Sequence, residues 1–149
     1  MIGLDTNVLV RYIMQDDAKQ SPKATRIVES LGGVGSGYVT IVAIVELVWV
    51  LSASFELTRS QIAQALDGII RTKQFKIENA DQVMRALRVF KLGKSDFSDC
   101  LIERSAESAG CEKTITFDVN AFPATRRSWT PISIGWNASW MVSTPTCRH

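Results

Sequence analysis

Short apolar and β-branched runs alternate with helical segments along most of this chain, and this alternation restricts its possible folds more than any other feature. Strands are predicted at residues 1–4, 38–39, 74–78 and 113–117. Helices are predicted between them, the first ending near residue 15 and the others covering residues 22–31, 41–54, 59–72, 81–91 and 96–108. Strands that alternate with helices favour a parallel sheet covered on both faces. We therefore predict an α/β fold.

Residues with strong capping preferences stand at several of the predicted helix ends. Ser21 is a suitable N-cap, and Pro22 fits the first helical position, where no backbone N–H is needed. Thr40 and Asp96 are expected to cap the two helices that follow them. Gly110 is the expected C-cap of the helix that ends near residue 108.

The length of 149 residues fits one domain with a proper core. We place the folded domain at residues 1–127. Residues 128–149 form an atypical tail that mixes three tryptophans with turn residues and lacks clear periodicity. Within the tail, a fifth strand fits residues 132–134, and the remainder is expected to be poorly structured.

Composition limits the chemistry that the chain can perform. The single histidine is His149, which makes a histidine general base, a Ser-His-Asp triad or a histidine metal site improbable. Acid–base or metal chemistry would therefore use carboxylates. The net charge of +2 is too small to indicate nucleic-acid binding by itself. No membrane segment is expected, because the longest apolar stretch, residues 41–51, is far shorter than the ~20 residues that span a bilayer.

The cysteines indicate a cytoplasmic protein. Cys100, Cys111 and Cys147 are odd in number and lack the spacing of metal ligands, so we interpret them as reduced thiols. No signal peptide is expected, because Asp5 interrupts the first apolar run and no basic region precedes it.

Two aspartates stand where predicted strands end. Asp5 follows Leu4, and Asp118 follows Phe117. In open α/β sheets, ligands bind at the carboxyl ends of the strands, which makes both aspartates candidates for a site. For Asp5 the alternative is simple capping of the next helix, because Asp is a preferred N-cap residue.

Glu46 is the one charged residue in the apolar helix over residues 41–51. A helix that is apolar all round is usually buried, so we expect this carboxylate to be half-buried as well. Burial of an unpaired carboxylate costs several kcal/mol, which would call for a cation beside it. The alternative is a surface-facing Glu on a helix that only looks buried.

Asp96 and Asp99 stand at the start of a predicted helix. Asp favours this position because of the helix dipole and the free N–H groups, so capping is the more common explanation. Spaced three apart, however, the two residues share one helix face. Both could therefore point toward the same place beyond the strand ends.

One kind of site would account for all of these carboxylates. Several carboxylates in one pocket repel each other unless a hard cation lies between them, and Mg²⁺ or Mn²⁺ suits such oxygen ligands. A metal of this kind activates water, orients a phosphodiester and stabilises the leaving oxygen. Metal-dependent phosphodiester hydrolysis needs no histidine.

The order and spacing of these residues resemble the PIN domain, and within it the VapC-type toxins of bacterial toxin–antitoxin pairs. The resemblance covers about residues 1–123. It is carried by four pieces in the order found in the family: Leu4-Asp5-Thr6-Asn7, Glu46 in the helix after Thr40, residues 96–102, and Thr116-Phe117-Asp118.

The resemblance implies a three-layer α/β/α fold with a central, mainly parallel sheet, and Mg²⁺- or Mn²⁺-dependent endoribonuclease activity. Carried over by position, the catalytic and metal-binding quartet is Asp5, Glu46, Asp99 and Asp118. Asp96 would be an auxiliary metal-binding acid, and Asn7 and Thr116 would orient the carboxylates. The mechanism that we hypothesise is in-line attack of a metal-activated water on an RNA phosphodiester.

The family also implies partners: an RNA substrate, a homodimer, and a cognate antitoxin that inserts a peptide into the acidic groove. Phosphate contacts could come from basic residues, for each of which ordinary surface charge is the more common explanation: Arg11, Lys91, Lys94, Arg126 and Arg127. After Asp118 the family usually continues with a basic, glycine-containing segment and a final short strand. The tryptophan-rich tail of this chain departs from that pattern.

Two other classes of protein compete with the nuclease. One is a catalytically inactive PIN-like module that binds RNA or protein, against which the intact set of acids argues. The other is a receiver-type signalling domain, which also uses an acidic Mg²⁺ pocket. That class needs an aspartate at the end of a middle strand and a lysine at the end of a late one, whereas Thr40 and Asp118 stand there.

Overall fold

A computed structural model describes residues 1–34, 36–117 and 129–131. The elements, in chain order, are β1 (Ile2–Gly3), α1 (Thr6–Met14), α2 (Ser21–Val34), β2 (Gly37–Val39), α3 (Ile41–Ala53), α4 (Arg59–Arg71), β3 (Phe75–Ile77), α5 (Ala80–Leu92), α6 (Phe97–Ser108), β4 (Thr114–Thr116) and β5 (Trp129–Pro131). Each predicted strand and helix up to residue 117 is present, with ends that differ by a few residues.

The strands pair only in parallel in the described part of the chain. β1, β2 and β3 form a sheet in that order, in which Ile2 lies opposite Gly37 and Val39 opposite Ile77. β4 and β5 form a second parallel pair. The parallel sheet and the helices between its strands confirm the predicted three-layer α/β/α fold. The carboxyl ends of β1, β2 and β3 lie at one edge.

The core lies mainly on one face of each helix. α3 contributes Ile44, Leu47 and Leu51, none of which is exposed to solvent. The apolar faces of α4 and α5 are buried against the same cluster. Cys100, on α6, is also buried, and burial raises the pKa of its thiol to about 11. Cys100 and Cys111 are free thiols, whereas Cys147 lies outside the described residues.

Gly37 is needed where β2 passes the start of the chain. A Cβ atom at this position would lie 2.6 Å from Leu4 Cδ1 and 2.9 Å from Leu31 Cδ1. Real Cβ atoms do not approach other carbons so closely, because packed interiors leave no room for the overlap. The close contact keeps β2 beside both β1 and α2.

Several predicted caps are confirmed. Thr40 Oγ1 accepts a hydrogen bond from Ala43 N at 3.1 Å. Asp96 occupies the expected N-cap position of α6, but its side chain makes no capping hydrogen bond. Gly110 adopts a left-handed backbone with φ of 85° just beyond α6. Its N–H donates to Glu107 O at 3.0 Å, an arrangement typical of helices that end at glycine.

The predicted bounds of the second helix are wrong at both ends. Ser21 is the first residue of α2 rather than its cap, and the carboxylate of Asp17 instead accepts bonds from Lys19 N and Gln20 N at 2.8 and 2.7 Å. At the other end α2 continues to Val34. Leu31, just before Gly32 and Gly33, is buried in the core. Its burial offsets the loss of about 1 kcal/mol in helix stability that each of these glycines causes.

The tail contains one described strand, β5, three residues before the predicted position. Residues 132–134, the rest of the predicted tail, and residues 118–128 lie outside the described part of the chain. Among the described helices, none combines the length and the apolar character needed to cross a bilayer.

Candidate active site

Asp5 lies between β1 and α1, at the carboxyl edge of the sheet. It is the N-cap of α1, and its Oδ2 accepts hydrogen bonds from Asn7 N at 3.3 Å and Asn7 Nδ2 at 3.0 Å. The alternative that Asp5 caps the next helix is therefore correct. Both bonds use one carboxylate oxygen, and the side chain is exposed. Oδ1 accepts no bond from the described residues, so it remains available to a ligand.

Thr6 connects this turn to α3. Its hydroxyl is buried, and Oγ1 donates to Glu46 Oε2 at 2.6 Å, across 40 positions of sequence. Thr6 was not among the predicted site residues, because in the sequence it is only a small polar residue in a turn. The hydrogen bond places the Glu46 carboxylate next to the residue that follows Asp5.

Glu46 is exposed, and its predicted half-buried position is wrong. One face of α3 is buried, but the opposite face carries Val42 and Trp49, which are 74% and 66% exposed. The apolar composition of the helix therefore did not reveal that one of its faces is uncovered. The alternative of a surface-facing Glu is correct, and the carboxylate is accessible to an ion in solution.

The acids of α6 begin at its amino terminus. Asp96 is exposed and occupies the N-cap position, but its side chain makes no capping hydrogen bond. Asp99 is half-buried in the first turn. Asp96 lines a cleft of about 290 Å³, together with Trp49 of α3 and Arg59 of α4. α6 also packs against α3, the helix that carries Glu46.

A further carboxylate lies at this sheet edge. Glu78 directly follows β3, is half-buried, and its Oε2 accepts a hydrogen bond from Ile41 N at 2.8 Å. It therefore holds the start of α3, together with the Thr40 cap. Glu78 was not among the predicted site residues, although it follows an alternating strand as Asp5 follows β1.

The structure places some of the predicted acids near one another and leaves others apart. Glu46 is tied to the Asp5–Thr6 turn, and Asp96 lies in the cleft beside α3. Within residues 1–34, 36–117 and 129–131, no three acidic, histidine or cysteine side chains could together hold one metal ion. Asp118 lies outside those ranges, so the convergence of the quartet stays a prediction. Thr116 ends β4 and is half-buried.

The chemistry of the available donors fits a hard cation. Asp5 and Glu46 each use only one carboxylate oxygen in hydrogen bonds with the described residues. Both side chains are exposed, and a second oxygen on each can bind a metal. Carboxylate oxygens are the ligands that Mg²⁺ and Mn²⁺ prefer, and Mg²⁺ keeps several of its waters when few protein ligands are present.

Two of the basic residues considered for phosphate contacts have acidic partners. Arg11 pairs with Asp16, and this hydrogen bond raises the pKa of the guanidinium. Lys91 Nζ lies 3.5 Å from Asp67 Oδ1. Ordinary surface charge is therefore a sufficient explanation for both. Arg126 and Arg127 lie outside the described residues.

Comparison with known proteins identifies the family. The family model of the PIN domain matches residues 2–127. This chain belongs to the PIN domain family. The PIN match confirms the resemblance proposed from the sequence motifs, and it includes every predicted acid, among them Asp118.

Similarity to one named protein supports the same placement. The chain is 24% identical over 115 residues to a VapC ribonuclease of Aquifex aeolicus (strain VF5). The alignment covers 76% of this chain and 84% of the relative. The similarity therefore extends over most of both proteins.

Proposed function

We propose that this PIN domain is a divalent-metal-dependent endoribonuclease, and the toxin of a VapBC-type toxin–antitoxin pair. Family membership and the similarity to a VapC ribonuclease support this assignment. The observation that carries it is the hydrogen bond from Thr6 to Glu46, which brings two exposed carboxylates from different elements to one edge of the sheet.

In this proposal the catalytic carboxylates are Asp5, Glu46, Asp99 and Asp118, and they hold Mg²⁺ or Mn²⁺. Asp96 assists them as an auxiliary acid. The chemistry that such an ion supplies when bound is activation of water and neutralisation of the charge that builds up on the phosphodiester oxygens.

The side chains around the carboxylates have orienting roles. Asn7 donates to Asp5, and Thr6 donates to Glu46, so each carboxylate keeps a fixed oxygen in a hydrogen bond and a second oxygen for the metal. Thr116 is proposed to serve a carboxylate in the same way.

Cleavage of total cellular RNA by the purified protein tests the proposal. We expect discrete fragments with Mg²⁺ or Mn²⁺ and none with EDTA. Asp5→Asn should reduce cleavage about 100-fold or more, since even partners of metal ligands are worth 10- to 100-fold. Asn caps helices as well as Asp does, so this variant removes the charge while the cap is kept.

The matched control is Glu29→Gln, the same loss of charge at an exposed position of α2. It should cleave like the wild type. Undiminished cleavage by Asp5→Asn, or cleavage in EDTA, would contradict the assignment. Absence of cleavage by folded protein free of antitoxin would favour the alternative, a catalytically inactive PIN-like module that binds RNA or protein.

The partners and location belong to the same proposal. We infer a homodimer that acts in the cytoplasm, and an antitoxin that inserts a peptide into the acidic groove. An arginine or lysine of that peptide would form charge-assisted hydrogen bonds with the exposed carboxylates. Co-expression with the cognate antitoxin should therefore block RNA cleavage and yield a complex that high salt weakens.

A further inference from the structure

Arg59, the first residue of α4, connects that helix to the turn between α5 and α6. Its Nε donates to Phe90 O at 2.8 Å, Nη2 to Ser95 O at 2.6 Å and Nη1 to Lys94 O at 3.4 Å. The guanidinium also lies over the Phe90 ring, 3.8 Å from its centroid. One side chain thus contacts three carbonyls and a ring on the far side of the turn.

The chemistry of the turn explains why an arginine suits this position. The last carbonyls of a helix lack partners within the helix, and Phe90 O belongs to the last turn of α5. A positive charge at that end also interacts favourably with the helix dipole. Arg offers five donors in a rigid planar group, whereas the single ammonium of Lys cannot reproduce this pattern.

The backbone at Arg59 is held by the cap at the start of α4. Thr58 and Gln61 form a capping box at the start of α4, in which Thr58 N donates to Gln61 Oε1 at 2.8 Å. The backbone that carries Arg59 is therefore held before its side chain reaches the turn. At the other end of the contact, Ser95 is buried and its Oγ has no hydrogen-bond partner among the described residues.

The contact with Ser95 O reaches directly into the acidic turn of α6. This carbonyl belongs to the peptide bond that precedes Asp96, and Asp96 O accepts the first helical bond from Cys100 N at 3.1 Å. Asp99 lies within that turn. The peptide that Arg59 binds therefore directly precedes the first turn of α6, which carries both aspartates.

We propose that Arg59 is a positioning residue, which fixes Asp96 and Asp99 for metal binding through the carbonyl of Ser95. The inference rests on the proposed function, because it takes these aspartates as part of the metal centre. The competing explanation is that the packing of α5 on α6, including the edge-to-face contact of Phe90 with Phe97, sets the turn without help.

Mn²⁺ binding by the full chain, measured by titration calorimetry, separates these explanations. Arg59→Met should weaken Mn²⁺ affinity about 10-fold, as expected for loss of a partner behind the metal ligands. Arg59→Lys should recover part of that loss. The matched control is Arg71→Met, the same change at the other end of α4, where the exposed Arg71 pairs with Asp67 of its own helix. It should bind Mn²⁺ like the wild type.

A double-mutant cycle gives the decisive readout. In an Asp99→Asn background, Arg59→Met should change Mn²⁺ affinity much less than it does in the wild type, because the positioned ligand is already lost. Amide exchange in the first turn of α6 should rise in Arg59→Met and stay unchanged in Arg71→Met. If Arg59→Met fails to fold, Arg59→Lys carries the same comparison, with an expected loss of about threefold.

The outcomes distinguish this inference from the proposed function. Wild-type affinity in folded Arg59→Met, or equal effects of that change with and without Asp99, would overturn the role of Arg59 and leave the nuclease proposal standing. If the wild type itself bound no Mn²⁺, the metal centre would be refuted, and the positioning role would fall with it.

Discussion

Thr6 shows how much one hydroxyl group contributes to this site. It is 3% exposed, and its partner Glu46 is exposed, so the bond joins the interior of the protein to its solvent-facing edge. Without the hydroxyl, the Glu46 carboxylate would hydrate freely and lose its fixed direction. The effect on function should therefore exceed the effect on stability.

Thr6→Val tests this expectation, because valine keeps the shape of the side chain and removes the donor. We expect metal-dependent RNA cleavage to fall about 10- to 100-fold. The free energy of unfolding should fall by only about 1 kcal/mol, the usual net contribution of one hydrogen bond. RNA cleavage and urea unfolding are the two measurements.

Thr6→Ser is the control, since it retains the hydroxyl, and it should recover most of the cleavage. Wild-type cleavage by Thr6→Val would show that Glu46 needs no orientation. A loss of several kcal/mol in stability would show that Thr6 acts through the fold instead.

At the scale of secondary structure, the close approach of β2 to its neighbours leaves no room for a side chain at residue 37. Gly37→Ala places a methyl group against Leu4 and Leu31, and overpacking of this kind costs about 1–3 kcal/mol. We expect a lower urea midpoint with an unchanged slope. Gly68→Ala, in the exposed middle of α4 with no atom near the added Cβ, should instead stabilise by about 0.4–1 kcal/mol.

Both variants replace glycine by alanine. If Gly37→Ala lowers the stability and Gly68→Ala raises it, the difference is due to the close contact at residue 37. An increase in stability for Gly37→Ala would mean that β2 has room to move away from Leu4.

The elements that could be predicted from the sequence are those whose cause is local. Thr40 and Gly110 mark helix ends because a cap is formed within a few residues of the helix that it serves. The predicted C-terminal end of α2 is wrong because the helix is extended past its glycines by the burial of Leu31 in the core. The exposure of Glu46 was misjudged for the same reason, since composition does not tell which face of α3 is covered.

The acids of the candidate site could be predicted from the sequence, whereas Thr6 and Glu78, which form hydrogen bonds beside them, could not. Asp5 and Glu46 stand out as charges at the end of a strand and within an apolar helix. Thr6 and Glu78 do not, because their partners lie 40 and 37 residues away in sequence. Only the folded sheet brings those partners together.

At the scale of the whole molecule, metal binding should be linked to folding. Scattered carboxylates of an unfolded chain bind Mn²⁺ weakly, so an ion that binds the native state stabilises it by mass action. At 100 times the dissociation constant we expect about 2.7 kcal/mol, or a rise of roughly 5–10 °C in the unfolding midpoint. EDTA should reverse the rise.

A calorimetric scan with KCl at equal ionic strength is the control for general salt effects, and Asp5→Asn should show a smaller rise. An unchanged midpoint at saturating Mn²⁺ would contradict a metal centre in the native state.

The contact of Arg59 with Ser95 also has a consequence for synthesis of the chain. Arg59 leaves the ribosome 36 residues before its carbonyl partner, so the acidic turn of α6 cannot be held until α4, α5 and that turn have all emerged. Fragments that end earlier contain Asp5 and Glu46 but not the aspartates of α6. On the proposed function, a nascent chain that stops before this turn would be harmless to the RNA of the ribosome that makes it, and cleavage would begin only once α6 has emerged.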